Sequence, residues 1–259
     1  MLVLLSPAMR MRHVDAPFNL KLSTPYFLEE AHKLASAVKS LDFDEFSKLI
    51  KVKGEACAEF YVMWQDFATT DVPDKDRLTA AALSFDGIAF KHLKPEEWSE
   101  EMWHYAQEHL RIASGLYGLL RPLDAVQAYR LEMQARLQLE GAKNLFKFWD
   151  NKLIDCVFNE AETLILNLTS HEYTKALLRD EQNSPQVLSA DFKILGKNGY
   201  YTQSTWAKIG RGSMASYVLK HQIQDPQDLK NYNRYGYRFS PELSSQQNYV
   251  FIADEPYLE

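Results

Sequence analysis

Two short apolar runs constrain the fold of this chain more than any other feature of its sequence. They cover residues 2–5 and 163–168. Short, continuous apolar runs are typical of strands that are buried on both faces of a sheet, and Pro7 closes the first run because proline lacks the N–H donor that a central strand needs. Helical patterns lie between and after these runs. The sequence therefore predicts an α/β or α+β fold, with a mixed sheet flanked by helices in a single domain at residues 1–259.

Composition limits the classes of partner that we expect. The net charge is −6, so binding to a nucleic acid would need a local group of Lys and Arg side chains on one face. The two cysteines, Cys57 and Cys156, lie far apart in the sequence, which predicts neither a disulfide framework nor a metal site. We find no secretory signal and no apolar run long enough to cross a bilayer, so we expect a cytoplasmic protein with no membrane partner.

Start and stop signals divide most of the remaining chain into helices. They predict helices at residues 24–41, 43–67 with a break near Gly54, 95–112, 146–162 and 213–222. In the third of these, Pro95 would begin the helix, Arg111 would lie in its last turn and Gly115 would follow it. Residues 71–76 predict a polar turn, and Asn198-Gly199 predicts a β-hairpin.

Hydroxyl side chains follow both predicted buried strands. Ser6 comes after the first strand and Ser170 after the second. In open α/β sheets, ligands bind at the carboxyl ends of the strands. If the two strands are parallel neighbours, Ser6, Ser170, Glu172 and Tyr173 face one pocket. The alternative is that these residues only end strands in ordinary turns.

The segment from Ser114 to Met133 combines glycine, arginine, tyrosine and acidic residues with apolar ones. Arginine is rarely buried unpaired, so Arg121 and Arg130 need carboxylate partners or an anionic ligand. If residues 129–133 were a strand, Arg130 and Glu132 would share one face and the three apolar or aromatic residues the other. A structural network of Arg with Asp and Glu is the alternative interpretation.

Two further segments place cations near helix ends. Arg211 lies between two glycines ahead of a predicted helix, where backbone N–H groups, the helix dipole and Lys208 would favour a phosphate. Residues 48–58 resemble a helix-hairpin-helix, in which a short turn presents backbone N–H groups and lysines to a DNA phosphate without reading sequence. A kinked pair of amphipathic helices with a solvated lysine face is the alternative.

Other chemistry has little support in the sequence. His104 and Glu108 share a helix face, but no third ligand has metal-site spacing, so we expect no metal and no other cofactor. The chain also lacks the G-x-S-x-G pattern of a nucleophile elbow.

Taken together, these segments resemble the YaaA family of peroxide-stress proteins over nearly the whole chain. The matching blocks are LVLLSPA at 2–8, Phe85–Gly87, LRIASGLYGLLRPLD at 110–124, YRLEM at 129–133, Phe148-Trp149, LNLTSHEY at 166–173, Arg211-Gly212 and Gly236-Tyr237. The resemblance implies a cytosolic α/β protein with a positively charged cleft and a helix-hairpin-helix-like element. It also implies binding to duplex and branched DNA, and protection against hydrogen peroxide by limiting free iron.

The resemblance also implies roles for individual residues, although no reaction is attached to the family. It assigns DNA contact to the turn formed by Lys48, Lys51, Lys53 and Gly54. It assigns the cleft to Ser6, Arg111, Tyr117, Arg121, Arg130, Lys208 and Arg211.

Several positions depart from the family pattern, among them Ile209, where the family usually has a basic residue. The usual lysine, tyrosine, glycine, proline and alanine are replaced by Met9, Phe90, His92, Ala128 and Gly210. These changes leave open a second hypothesis, in which a diverged paralogue acts as an enzyme on a small anionic or nucleotide-like substrate in the same cleft. Glu132 or Glu172 would then act as general acid–base, assisted by Tyr117 or Tyr173. A closed pocket of small-ligand size would favour the enzyme, and a long basic groove would favour DNA.

Overall fold

The computed structural model of the chain describes residues 1–69, 75–178 and 185–258. In these ranges the strands are β1 (Leu2–Leu5), β2 (Thr79–Ala80), β3 (Leu110–Ser114), β4 (Gly118–Leu120), β5 (Ala125–Val126), β6 (Leu164–Leu168), β7 (Gln186–Gly196), β8 (Gly199–Tyr201), β9 (Arg238–Phe239) and β10 (Asn248–Ala253). The helices are α1 (Leu28–Lys39), α2 (Phe43–Ile50), α3 (Glu55–Gln65), α4 (Ala81–Ser84), α5 (Ile88–Leu93), α6 (Glu100–His109), α7 (Leu145–Trp149), α8 (Lys152–Glu160), α9 (His171–Leu177) and α10 (Ser204–His221).

A mixed sheet lies at the centre of the molecule. Its strand order is β4-β3-β1-β6-β7-β10-β9, and β8 pairs with β7. The five strands from β3 to β10 in this order are mutually parallel, whereas β4, β8 and β9 are antiparallel to their neighbours. A separate two-stranded antiparallel pair joins β2 to β5. The predicted α/β architecture with a mixed sheet and flanking helices is therefore confirmed.

The two apolar runs are buried central strands, as predicted. Every residue of β1 and of β6 is buried, and the two strands pair in parallel with Leu5 opposite Leu168. Parallel strands in register end at the same edge of a sheet. The residues that follow them, from Ser6 and from Thr169, therefore emerge side by side.

The predicted helix at 95–112 is wrong in its second half. Helix α6 ends at His109, and Arg111 lies in β3, with Gly115 following a strand instead of a helix. Ser99, not Pro95, caps the helix, because its side chain accepts a hydrogen bond from the N–H of Met102 at 3.2 Å. The chain changes to a strand because residues 110–112 pair with β1, an interaction that local helix signals do not contain.

Three other predicted boundaries also need correction. The first helix begins at Leu28 and not at Thr24, whose carbonyl oxygen instead accepts a hydrogen bond from Arg121. The helix predicted at 146–162 is two helices, α7 and α8, separated at Asp150, whose φ is 44°. The helix predicted at 213–222 begins at Ser204, so Arg211 lies inside it. Of the turn predicted at 71–76, residues 71–74 lie outside the described residues.

Two local predictions are confirmed. The hairpin at residues 197–199 joins β7 to β8, with Gly196 opposite Gly199. Helices α2 and α3 are separated near Gly54, as predicted, but the structure does not confirm a helix-hairpin-helix as such. In the connection, Lys51 has a φ of 54° and Gly54 has a φ of 67°, a left-handed conformation that glycine adopts without steric cost.

Helix α10 packs closely against α5 through small residues. A Cβ atom added at Gly212 would overlap the backbone of Ala89 in α5, and one added at Gly210 would overlap the ring of Phe192 in β7. The absent side chains let α10 approach both elements, which places Arg211 between a helix and the sheet. Gly210 and Gly212 therefore serve packing inside a helix, and not a phosphate-binding turn ahead of one.

Candidate functional site

A cavity of 650 Å³ opens at the edge of the sheet where β1 and β6 end. The extended segment 129–134 and helices α5, α9 and α10 complete its walls. Its polar and charged lining residues are Ser6, Arg10, Asp86, Tyr129, Arg130, Glu132, Gln134, Ser170, Glu172, Tyr173, Lys208 and Arg211. The structure thus brings eight of the predicted site residues to one cavity, and Ser6, Ser170, Glu172 and Tyr173 follow the strand ends as expected.

The floor of the cavity depends on the pairing of β1 with β6. The backbone N–H of Ser170 donates a hydrogen bond of 2.8 Å to Oγ of Ser6. Helix α9 begins immediately after Ser170, and its first turn presents Glu172 and Tyr173 to the cavity. Two strand ends held together in this way form the base of the cavity.

Arg130 enters the cavity from an extended segment that belongs to none of the described strands. The alternation predicted for residues 129–133 holds nevertheless, because Tyr129, Leu131 and Met133 are buried while Arg130 and Glu132 are half-buried. The guanidinium of Arg130 stacks over the ring of Phe60 at 5.1 Å, and its Nη2 atom lies 3.7 Å from Glu132. Its Nε–H, however, is buried and meets no acceptor in the described part of the chain.

Arg211 reaches the same cavity from the middle of α10. Its Nε–H is likewise buried without an acceptor among the described residues. Burial lowers the pKa of Arg211 from its ordinary value, and the charge of Asp191 opposes that shift. Lys208, one turn earlier on the helix, is exposed at the rim. A buried donor left unpaired costs about 1–3 kcal/mol, and more when the group is charged, so both guanidiniums are suited to an anion in the cavity.

Two carboxylates share one glutamine on the wall of the cavity. The N–H of Gln134 donates to Glu172 at 3.0 Å, and the Gln134 side chain donates to Glu132 at 3.1 Å. Burial raises the pKa of Glu172, and the nearby charge of Glu132 raises it further, while the hydrogen bond from Gln134 and the charge of Lys51 lower it. The cavity thus combines arginines with a carboxyl group that holds its proton to a higher pH than usual.

We expect Glu172→Gln to strengthen binding of a phosphodiester in this cavity roughly tenfold near neutral pH, because it removes a like charge without changing side-chain shape. In the wild type, affinity should fall as the pH rises through the raised pKa of Glu172. The free energy of unfolding should decline over the same interval, from the ordinary glutamate range upwards, because the folded state holds the proton more tightly. Titrations of binding and of urea unfolding against pH, in both proteins, test this. Equal pH profiles in the two proteins would contradict the prediction.

Arg111, Arg121 and Tyr117 are not among the described residues that line the cavity. Arg111 is buried, forms an ion pair with Glu160 and donates to the carbonyl oxygen of Gln107 at 2.9 Å. These contacts are those of a structural arginine, so the cleft position implied for it by the resemblance needs correction.

The same correction applies to Arg121 and Tyr117. Arg121 pairs with the buried carboxylate of Asp124 at 2.9 Å and holds the carbonyl of Thr24 at the same distance. The hydroxyl of Tyr117 is buried and accepts a hydrogen bond from the N–H of Gln127 at 3.1 Å. For Arg121, the structure therefore shows the alternative interpretation, a structural network of Arg with Asp.

Lys48, Lys51 and Lys53 are exposed, and none of them is among the described residues that line the cavity. Lys51 borders a small depression together with Arg130 and Glu132, so it adjoins the cavity rim. Lys48 borders a different, open groove between α1 and residues 136–140. Lys53 and Gly54 are exposed at the turn itself. A ligand longer than the cavity could therefore contact both the arginines and this turn.

The departures from the family pattern fall into different environments. Met9 and Phe90 line the cavity, whereas His92 pairs with the hydroxyl of Tyr235 through Nδ1 at 2.8 Å. Ala128 is exposed, and Gly210 faces Phe192. Sequence reasoning missed Gln134 and Phe60, which no motif marks, and it gave no role to Asp86, although that residue lies in the Phe85–Gly87 block. Gln134 and Phe60 join the site through contacts with residues that are distant in sequence.

The fold and the cavity together define an α/β protein with a partly closed, arginine-containing cavity at the carboxyl edge of its parallel strands. A family model described as peroxide stress protein YaaA matches residues 1–243. A UPF0246 protein of Clostridium perfringens is 34% identical over 258 residues, covering 98% of this chain and 100% of that protein. A UPF0246 protein of Agathobacter rectalis is 33% identical over 252 residues, covering 97% and 98%. The chain belongs to the YaaA family of peroxide stress proteins, and this membership supports a role in peroxide stress.

Across residues 1–69, 75–178 and 185–258, no three His, Cys, Asp or Glu side chains come together in an arrangement that would hold a metal ion. In the same ranges, no helix has both the length and the apolar character needed to cross a membrane.

Proposed function

We propose that this protein binds phosphate groups in the Arg130–Arg211 cavity, and that the ligand is duplex or branched DNA during the response to peroxide. The observation that supports this most directly is the pair of buried Nε–H donors without acceptors in the described part of the chain. Both arginines line the cavity, and charge-assisted bonds from guanidinium to phosphate are among the stronger hydrogen bonds in proteins.

The cations around the cavity are suited to a ligand that extends beyond it. Arg10 and Lys208 lie exposed at the rim, and Lys51 adjoins it from the α2–α3 connection. Because the net charge of the chain is −6, phosphate binding has to rely on such a local group of cations. In this proposal one phosphate occupies the cavity while neighbouring phosphates meet Lys48, Lys51 and Lys53. The response would limit oxidative damage to DNA and the supply of free iron.

A salt titration of DNA binding tests this proposal. Three or four phosphate contacts should make the logarithm of the affinity fall against the logarithm of the salt concentration with a slope of about −3. Affinity should therefore drop roughly 60-fold between 50 and 200 mM salt. Duplex and four-way-junction DNA of equal length would be compared by fluorescence anisotropy. Binding that does not respond to salt, or no binding at low salt, would refute the proposal.

A second candidate function is an enzyme that acts on a small nucleotide-like anion. The observation that favours it is the size of the cavity, 650 Å³, which lies within the usual range for small-molecule sites. Glu172, whose pKa is raised by burial, would serve as the general acid, with Tyr173 beside it. The variant Glu172→Gln separates the candidates, because a binding protein keeps or gains affinity while an enzyme loses turnover of a nucleotide panel.

A further inference from the structure

Met9 occupies an unusual position for a methionine. The chain has seven methionines, all in the described ranges, and Met9 is the one that is exposed. The residue is 53% accessible and lines the Arg130–Arg211 cavity. An exposed thioether at the mouth of a charged cavity can be reached by small, polar oxidants from solvent.

The sulfur of Met9 contacts the proposed anion-binding group directly. Nη2 of Arg130 lies 3.5 Å from Sδ of Met9 and donates to it. A thioether is a weak acceptor, so this contact leaves the guanidinium largely available to a stronger one. Besides this sulfur, the Nη2 atom has one charged partner among the described residues, Glu132 at 3.7 Å. A chemical change at the sulfur would therefore alter the hydrogen bonding of Arg130.

The cysteines are poorer targets for an oxidant than Met9. Cys57 is completely buried. Burial and the charge of Glu160 raise the pKa of the Cys156 thiol to about 12, so it holds its proton at neutral pH. Since the thiolate is the reactive form of cysteine, neither residue offers a ready site for peroxide.

We propose that Met9 is an oxidation site for hydrogen peroxide, and that its sulfoxide weakens anion binding in the cavity. A lone pair of the sulfur attacks one oxygen of the peroxide, an S–O bond forms and the O–O bond breaks. The second oxygen leaves as water after proton transfer. The methionine loses two electrons and the peroxide gains them, so no further reactant is needed. Methionine sulfoxide is reducible, which makes the change reversible.

The consequence for binding follows from the polarity of the product. A sulfoxide oxygen accepts hydrogen bonds far more strongly than a thioether, and it forms beside Nη2 of Arg130. Once Arg130 donates to this oxygen, one donor is lost to the ligand. The loss of one hydrogen bond corresponds to about a fivefold decrease in affinity. This part of the inference rests on the proposed anion binding, whereas the oxidation itself does not.

The test combines peptide mass spectrometry with titrations of inorganic phosphate. After graded exposure to hydrogen peroxide, Met9 should gain one oxygen before Met11, which is partly buried and accepts a hydrogen bond from the N–H of Tyr129 at 3.3 Å. Phosphate affinity of the wild type should fall about fivefold. Each protein is compared with its own untreated sample. Met9→Leu should show no response, and Met11→Leu should respond like the wild type.

A third variant and a reversal experiment complete the design. Met9→Gln places a permanent carbonyl acceptor near Arg130, so it should bind phosphate more weakly than Met9→Leu without any peroxide. Treatment of the oxidised wild type with methionine sulfoxide reductase should restore its affinity.

The outcomes separate this inference from the proposed function. Oxidation of Met11 before Met9 would overturn the modification site. Oxidation of Met9 with unchanged phosphate affinity would overturn the coupling to Arg130. If the untreated wild type does not bind phosphate at all, the proposed function and the coupling both fail, while the mass spectra still decide whether Met9 is the preferred site of oxidation.

Discussion

Replacing Arg211 by methionine is expected to weaken DNA binding by about 10- to 100-fold while it raises the stability of the unliganded protein. A hydrogen bond from a charged group is worth about 1.5–3 kcal/mol to a bound phosphate. In the absence of ligand, however, the buried Nε–H of Arg211 has no acceptor among the described residues, and burial lowers its pKa. Methionine removes that cost and retains much of the side-chain length.

The matched control is Arg121→Met, for which the opposite pattern is expected. Arg121 lies outside the cavity and neutralises Asp124, whose side chain is only 1% exposed. Its removal leaves a buried carboxylate without its ion-pair partner, which costs about 3 kcal/mol of unfolding free energy or more. The folded Arg121→Met protein should nevertheless bind DNA with wild-type affinity.

Urea unfolding and fluorescence anisotropy on the three proteins provide both readouts. Gain of stability with loss of binding for Arg211→Met, and loss of stability with unchanged binding for Arg121→Met, would support a ligand site at the first residue and a structural pair at the second. If Arg211→Met bound DNA as well as the wild type, the cavity would not be the phosphate site.

Gly212→Ala is expected to cause the largest loss of stability among conservative substitutions on α10. The added Cβ would overlap the carbonyl group and Cα of Ala89, and backbone atoms in a packed helix cannot move aside. Overpacking of this kind costs about 1–3 kcal/mol, and occasionally more. Because α10 carries Arg211, any displacement that relieves the overlap should also weaken DNA binding.

Gly210→Ala provides the comparison for this prediction. Its added Cβ meets the ring of the buried side chain of Phe192, which can shift more readily than a backbone can. Alanine also favours a helix over glycine by about 1 kcal/mol, which offsets part of the strain. The urea midpoint should therefore fall less for Gly210→Ala than for Gly212→Ala. Equal midpoints for the wild type and Gly212→Ala would show that α5 and α10 do not pack as closely as described.

The parts of the fold that were predictable from the sequence have local causes. The strands β1 and β6 are marked by apolar runs, the hairpin after β7 by Asn198-Gly199, and the division between α2 and α3 by Gly54. In each case the residues that determine the conformation lie within the element or its turn. Residues 110–112 form a strand because they pair with β1, which is distant in sequence. The helix signals of the preceding segment therefore predicted a wrong boundary.

The residues of the candidate site likewise divide into those that local sequence predicted and those that depend on distant contacts. Ser6, Ser170, Glu172 and Tyr173 were predictable on the condition that the two buried strands are parallel neighbours, which the structure confirms. The sequence alone did not distinguish a structural arginine from one at the cavity. Arg121 and Arg130 lie in one motif, but only Arg130 is among the residues described at the cavity. Arg211 was expected in a turn, and its glycine neighbours turned out to allow helix packing.

The sequence by itself determined that this chain forms a mixed α/β fold and that strand ends bring hydroxyl and acidic residues to one edge. Its family blocks also identified it as a member of the YaaA family. Only the tertiary structure decided which cations are structural and which remain available to a ligand. The physical reason is that the role of a guanidinium depends on the acceptors that surround it in the folded protein. Arg111 and Arg121 meet carboxylates, whereas Arg130 and Arg211 keep a buried N–H without a partner in the described chain.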